Sequence, residues 1–184
     1  MQDTPQDTSP KGSGKSPLLS RRGTLLAGAA LLLGAGALGF TLLRPEDANA
    51  NAVPSAAMAA GEAFAKARDG EITLVDIRTP PEWAETGVPE GAVALDMTQE
   101  ESFIKALVAL RKADPSKPIA LICRTGNRSG QVVRILASQG FTGLVDVAEG
   151  VAGGRNGKGW LPGGLPTYAG TPAEIEARRA RILP

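Results

Sequence analysis

Between two segments of helical periodicity, Ile119-Ala120-Leu121-Ile122 is apolar at every position. A strand with one face in solvent alternates polar and apolar residues. A short run with no polar position, preceded by Asp114-Pro115-Ser116-Lys117-Pro118 and followed by a polar loop, reads as an interior strand of a parallel sheet covered on both faces. Residues 72–77 and 141–147 are similar β-branched runs, and 92–95 is a shorter one. Helix-like segments lie among them: 56–68, a short one opened by Thr79-Pro80-Pro81-Glu82, 102–112 and 129–139. This alternation predicts an α/β fold of three layers, a central, mostly parallel sheet with helices on both faces.

Local chemistry sets the element ends. Thr79/Glu82, Thr98/Glu101 and Thr171/Glu174 each have the spacing of a capping box, two of them with proline at the first helical position. In 102–112, Phe103, Ile104, Leu107, Val108 and Leu110 share a face, and in 129–139 the apolar face is Val132, Ile135 and Leu136. Residues 149–168, rich in glycine, proline and polar residues, read as a long loop pinned by Trp160. Trp83 and Trp160 are expected as packing anchors, Asp76, Arg78 and Glu82 as a structural ion-pair cluster, and Arg178, Arg179 and Arg181 as a solvated face of the terminal helix.

The N-terminal part differs in character. Residues 1–20 are polar and too poor in apolar groups to offset the entropy of ordering. Arg21-Arg22 then precedes an uncharged apolar run at 24–43, followed by Ala48-Asn49-Ala50. Positive flank, apolar stretch and small-x-small site read as an export signal, and the paired arginines resemble a twin-arginine signal. The expected division is 1–50 leader, 51–170 folded domain and 171–184 helical tail, with a periplasmic location. In the alternative reading 24–43 stays uncleaved and tethers the domain to the inner membrane, facing the periplasm. Gly34-Ala35-Gly36-Ala37-Leu38-Gly39 matches a dinucleotide-binding pattern, but it lies inside the apolar run with no strand before it.

From residue 51 onward the chain has fifteen basic and fifteen acidic residues, so it lacks the basic footprint of a nucleic-acid binder. It has no histidine, which removes His-dependent triads, Cys–His dyads and the common zinc sites. With one cysteine there is no internal disulfide, redox pair or thiolate metal cluster. No metal or cofactor is called for.

That cysteine, Cys123, directly follows the all-apolar run and begins Cys123-Arg124-Thr125-Gly126-Asn127-Arg128-Ser129. A loop that turns over a sulfur before a helix starts can aim backbone N–H groups from 124–129 and the helix N-terminus at it. Gly126 permits a positive φ, Asn127 tolerates the left-handed region, and Arg124 and Arg128 favour a thiolate by charge. The expectation is an exposed, low-pKa thiolate that needs no histidine.

Together with Val75-Asp76-Ile77-Arg78-Thr79, Glu82-Trp83, Gly87-Val88-Pro89-Glu90-Gly91-Ala92 and Glu149-Gly150 through Gly159-Trp160 to Gly164-Leu165-Pro166, this loop resembles the single-domain rhodaneses. The resemblance implies a sulfurtransferase in which Cys123 attacks a sulfane donor such as thiosulfate or a persulfide and stores the sulfur as its own persulfide. A thiol or cyanide acceptor then takes it. By position, Arg124 and Arg128 would contact the anionic donor, and the backbone of Thr125, Gly126, Asn127, Arg128 and Ser129 would cradle the persulfide. A sulfur-carrier or regulatory binding module on the same fold is the alternative. Many members have Gly-His-Ile where this chain has Gly87-Val88-Pro89, which reads as a local packing change. Phosphatases of related shape place five residues between cysteine and arginine; here four separate Cys123 from Arg128, a smaller cradle.

Overall fold

The computed structural model describes residues 56–184; the expected leader, signal and tether lie outside the described residues. In chain order the elements are β1 (Ala56–Met58), α1 (Ala60–Arg68), β2 (Thr73–Asp76), α2 (Pro80–Thr86), β3 (Val88–Pro89), β4 (Ala92–Ala94), α3 (Glu100–Ala113), β5 (Ile119–Ile122), α4 (Asn127–Ser138), β6 (Leu144–Val147), β7 (Thr167–Tyr168) and α5 (Pro172–Ile182).

Five strands form one sheet in the order β1-β6-β5-β2-β4, every neighbour parallel. The all-apolar run is its central strand, and each residue of β5 is at most 1% exposed. Side chains on a strand alternate between faces, so β5 supplies two cores. Ala120 and Ile122 join Leu74, Val145, Val147, Trp83 and Trp160 on one side. Ile119 and Leu121, with Cys123 beyond them, join Val75, Val93, Phe103, Leu107, Val133 and Leu136 beneath α3 and α4 on the other. Burying each Leu or Ile here contributes roughly 1.5–3 kcal/mol. The result is the three-layer α/β fold with a parallel sheet.

Four expectations are corrected. Residues 56–58 form the edge strand β1, paired with β6 at Ala56↔Val145, Ala57↔Asp146 and Met58↔Val147, and α1 begins only at Ala60. Local alanine content favours helix, but the open edge of β6 offers backbone partners that outweigh it. Second, Thr98 does not cap α3. Its N–H and hydroxyl donate to Asp96 Oδ1 at 2.9 and 2.7 Å, and α3 starts at Glu100 behind Gln99 with no side-chain cap. Third, α4 begins at Asn127, two residues earlier than its apolar pattern implies. Its buried stripe is Ser129, Gly130, Val133 and Leu136, while Ile135 is 47% exposed and Val132 half-buried. Fourth, Arg178 is not a solvated charge: its guanidinium lies 4.4 Å over the Tyr168 ring and pairs with Glu90 at 2.6 Å and Glu174 at 2.9 Å.

The expectations at Thr79, Thr171 and Trp160 hold. The Thr79/Glu82 capping box is complete, with both reciprocal hydrogen bonds, and Thr171 Oγ1 accepts the Glu174 N–H at 3.3 Å. Trp160 is fully buried, donates from Nε1 to the Pro166 carbonyl at 2.8 Å, and meets the Phe64 ring edge-on at 5.7 Å between centroids. Val88, at the departure from Gly-His-Ile, is fully buried in the antiparallel ribbon of β3 with β7.

Candidate active site

The site lies where β5 stops. Ile122 is the last strand residue, and the chain must turn before α4 begins at Asn127. Gly126 makes that turn as the N-cap of α4, in the left-handed region at φ 84°. A side chain there would collide with the Ala148 carbonyl, so both conformation and space require glycine. The outer side of the loop is braced by the segment after β6: Val151 N–H donates to the Cys123 carbonyl and Ala152 N–H to the Arg124 carbonyl, both at 2.8 Å. Gly150 lies so close that a Cβ on it would come within 2.6 Å of the Arg124 oxygen.

Cys123 Sγ accepts from the Ser129 N–H and from the Ser129 hydroxyl, each at 3.4 Å. Ser129 is fully buried in the first turn of α4, and its hydroxyl is also 3.2 Å from the Gly126 carbonyl. The sulfur therefore rests at a helix N-terminus, where aligned peptide dipoles present the equivalent of about half a positive charge. The exposed thiolate expected from the loop is corrected: Cys123 is 1% exposed. The alternation of β5 carries past its end, so Cys123 points to the same core as Leu121 and Val133.

The arginines separate. Arg124 is exposed and forms no ion pair among the described residues, and Asn127 is exposed beside it. Arg128 turns to Glu82 in a two-pronged ion pair, Nη1 to Oε2 at 2.9 Å and Nη2 to Oε1 at 2.5 Å. Glu82 at the same time closes the capping box of α2, accepting from Thr79 N–H at 3.1 Å and Thr79 Oγ1 at 3.0 Å. Arg128 hydrogen bonding, followed by the Thr79 bonds and the Arg128 charge, outweighs partial burial and holds the Glu82 carboxyl down at about 2. Arg128 is correspondingly held above its ordinary value, chiefly by Glu82 and also by the nearby Cys123 sulfur. The structure thus brings Cys123 and Ser129 together, with Thr125 and Gly126 forming the turn, Arg124 and Asn127 at the surface, and Arg128 clamped.

Sequence reasoning placed Glu82 among structural charges and missed its hold on the loop. Asp76 and Arg78 do form a buried structural pair, with Nη2 to Oδ2 at 2.7 Å, and Arg78 also donates to the Gly87 carbonyl at 2.7 Å and Thr86 Oγ1 at 2.8 Å. Glu82 and Arg128 are 46 positions apart. They meet because β2 and β5 are neighbours, so the connections leaving their carboxyl ends share one rim. Strand order is the signal that would have found the pair.

The rhodanese-like domain model matches residues 59–156. The chain is 32% identical over 83 residues to the thiosulfate sulfurtransferase GlpE of Pseudomonas syringae, covering 45% of this chain and 72% of that one. It is 31% identical over 101 residues to a sulfurtransferase of Allochromatium vinosum, covering 54% and 80%. The crystal structure of a rhodanese-like domain protein from Staphylococcus aureus aligns with a TM-score of 0.43 at 23% identity, over 62% of this chain and 99% of that one. The family match runs from the residue before α1 through the glycine-rich brace of the Cys123 loop, and the chain belongs to the rhodanese-like domain family.

Proposed function

We propose that the chain is a rhodanese-type sulfurtransferase that moves a sulfane sulfur from thiosulfate or a related persulfide donor to a thiol or cyanide acceptor through a persulfide on Cys123. The observation that carries this is the seat of Sγ at the α4 N-terminus, within hydrogen-bond reach of the Ser129 N–H and hydroxyl. Family membership and the two sulfurtransferase relatives support it. As thiolate, Cys123 attacks the outer sulfur of the donor; a new S–S bond forms, the donor's S–S bond breaks, and with thiosulfate the sulfite leaves with that electron pair. The acceptor then takes the outer sulfur and returns the thiolate. Covalent storage divides one transfer into two easier ones. Arg124 supplies the free charge that draws an anionic donor. Arg128, partly neutralised by Glu82, contributes a weaker field and holds the 124–128 turn in place, while the backbone of residues 125–129 receives the persulfide.

Purified protein supplied with thiosulfate and cyanide is expected to release thiocyanate, and Cys123→Ser to release none; equal turnover by the variant would end the assignment. The burial of Cys123 favours a second reading, a sulfur carrier or docking module that turns over no free donor. Intact mass after thiosulfate separates the two. A single added sulfur, removable by thiol reductant, belongs to the enzyme, and an unchanged mass to the binding module.

The proposal includes export. Arg21-Arg22 ahead of the apolar run at 24–43 supports delivery to the periplasm by the twin-arginine route, with residues 51–170 as the working domain. Retention of 24–43 would make the same domain membrane-tethered. Cell fractionation and the N-terminal sequence of the exported form decide between release and tethering.

A further inference from the structure

Two exposed cations besides Arg124, Arg155 and Lys158, border the Cys123 loop and have no part in the reaction as described. The chain after Val151 doubles back on itself. Gly154 and Gly157 exchange both backbone hydrogen bonds, at 3.0 and 3.2 Å, which leaves Arg155 and Asn156 as the two-residue tip of a hairpin. Gly154 at φ 155° and Gly157 at φ 145° hold conformations that side chains rarely adopt, so the bend depends on glycine. Two contacts fix where the tip lies. A Cβ on Gly154 would be 4.0 Å from the Thr125 Cβ, and Asn156 Nδ2 donates at 3.1 Å to the Ala148 carbonyl, the same carbonyl that abuts Gly126. The tip is therefore held beside both residues that form the turn after Cys123.

The charge on these two loops is unbalanced. Arg155 and Lys158, like Arg124, form no ion pair or side-chain hydrogen bond among the described residues. The acids of the region are paired or turned inward. Glu82 holds Arg128, Glu149 is half-buried and accepts the Ala60 and Gly159 N–H groups at 3.3 and 3.2 Å, and Asp146 is buried beneath α4 at Gly130. Unpaired positive charge thus borders the covered sulfur from two sides of one turn. Charge of one sign around a recess raises the local concentration of ions of the other sign.

We infer that Arg155 is a specificity-determining residue that, with Arg124, selects doubly charged sulfane donors over uncharged ones at Cys123. A dianion such as thiosulfate gains twice from each cation what a monoanion gains, and a neutral organic trisulfide gains nothing. Asn156 fixes the tip and Arg155 supplies the charge, so the hairpin extends the field of Arg124 to the far side of the turn. The substrate class named here rests on the sulfurtransferase reading; the preference of the sulfur for anionic reagents does not.

The test compares labelling of Cys123 by iodoacetate, an anion, with labelling by iodoacetamide, a neutral reagent of similar size, each followed by intact mass in the full chain. Both reagents meet the same sulfur in the same protonation state, so the ratio of their rates reads charge. At an ionic strength of about 0.1 M, where the screening length is about 10 Å, Arg155→Gln should lower the iodoacetate-to-iodoacetamide ratio about twofold and Arg155→Glu about fourfold. Arg181→Gln removes the same charge from α5, which packs on the far edge strand β4, and should leave the ratio unchanged. An unchanged ratio in an Arg155→Gln variant with parental circular dichroism, or an equal fall in Arg181→Gln, would overturn the inference. So would a sulfur closed to both reagents, since selection requires an approach past the tip. If the variant does not fold, the parent decides: its ratio should fall as ionic strength rises to about 1 M, where the screening length is about 3 Å, and a ratio indifferent to salt would overturn the charge preference. In sulfur transfer, kcat/KM for thiosulfate should fall about fourfold in Arg155→Gln with kcat unchanged. Labelling uses no sulfur donor, so the expected ratios without sulfur transfer would count against the function alone.

Discussion

Glu82 serves two structures with one carboxylate, the start of α2 and the clamp on Arg128. Its folded pKa of about 2 lies below the 4.5 of an unperturbed glutamate. The stability it contributes is therefore complete above about 4.5 and is lost as pH falls from there towards 2. Glu82→Gln should lower stability at pH 7 by roughly 1–2 kcal/mol, after allowing for the partial exposure of Arg128. Thermal melts across pH test this: the variant's midpoint should flatten between 4.5 and 2 relative to the parent, and equal acid sensitivity would remove Glu82 as the cause. Gly126→Ala meets both a positive φ and the Ala148 carbonyl, so a cost of about 2–4 kcal/mol is expected by denaturant titration, with sulfur transfer lost at temperatures where the variant remains folded. Gly126 and Cys123 were readable from residue type and position, because a tight turn and a strand end are local facts. The partner of Arg128 was not, since the pairing depends on which strands lie side by side.

The elements were read correctly where a short-range rule governs them and misread where a distant partner does. Thr79, Pro80 and Glu82 carry the start of α2 within four residues, and Thr79→Ala should cost about 1 kcal/mol, seen as a lower denaturation midpoint at unchanged slope. Thr98 has the same spacing to Glu101, yet Asp96, two positions earlier, takes its hydroxyl and N–H; local side-chain competition decided that case. β1 was hidden because its alanines have no strand preference of their own and only the free edge of β6 straightens them. The phase of α4 was misjudged because two small residues, Ser129 and Gly130, lie on its buried face, and a hydrophobicity pattern gives them no weight. Trp160 joins loop and α1 in one contact, so Trp160→Ala should cost about 3–5 kcal/mol and release the brace on the Cys123 loop. Proteolysis within residues 149–166 should report that release, and a loop no more cleavable than the parent's would place the brace elsewhere.

At the scale of the molecule, two cores meet across one strand, and the Cys123 sulfur hangs from the end of that strand. The fold class was readable because an apolar run with no polar position admits few environments; the strand order was not, because runs of similar composition can be arranged in several ways. Leu121→Ala should cost about 2–5 kcal/mol, and amide hydrogen exchange of β5 should slow only to the limit set by global unfolding. Cys123, the chain's single thiol, is buried under backbone that glycines alone can thread. This makes the loop a sieve by molecular girth. A bulky aromatic disulfide meets a covered sulfur, so a colorimetric thiol count should find almost nothing in the native protein and one group per chain after denaturation. The folded chain is accordingly barred from cross-linking to a copy of itself, and its one thiol is left to reagents small enough to reach it.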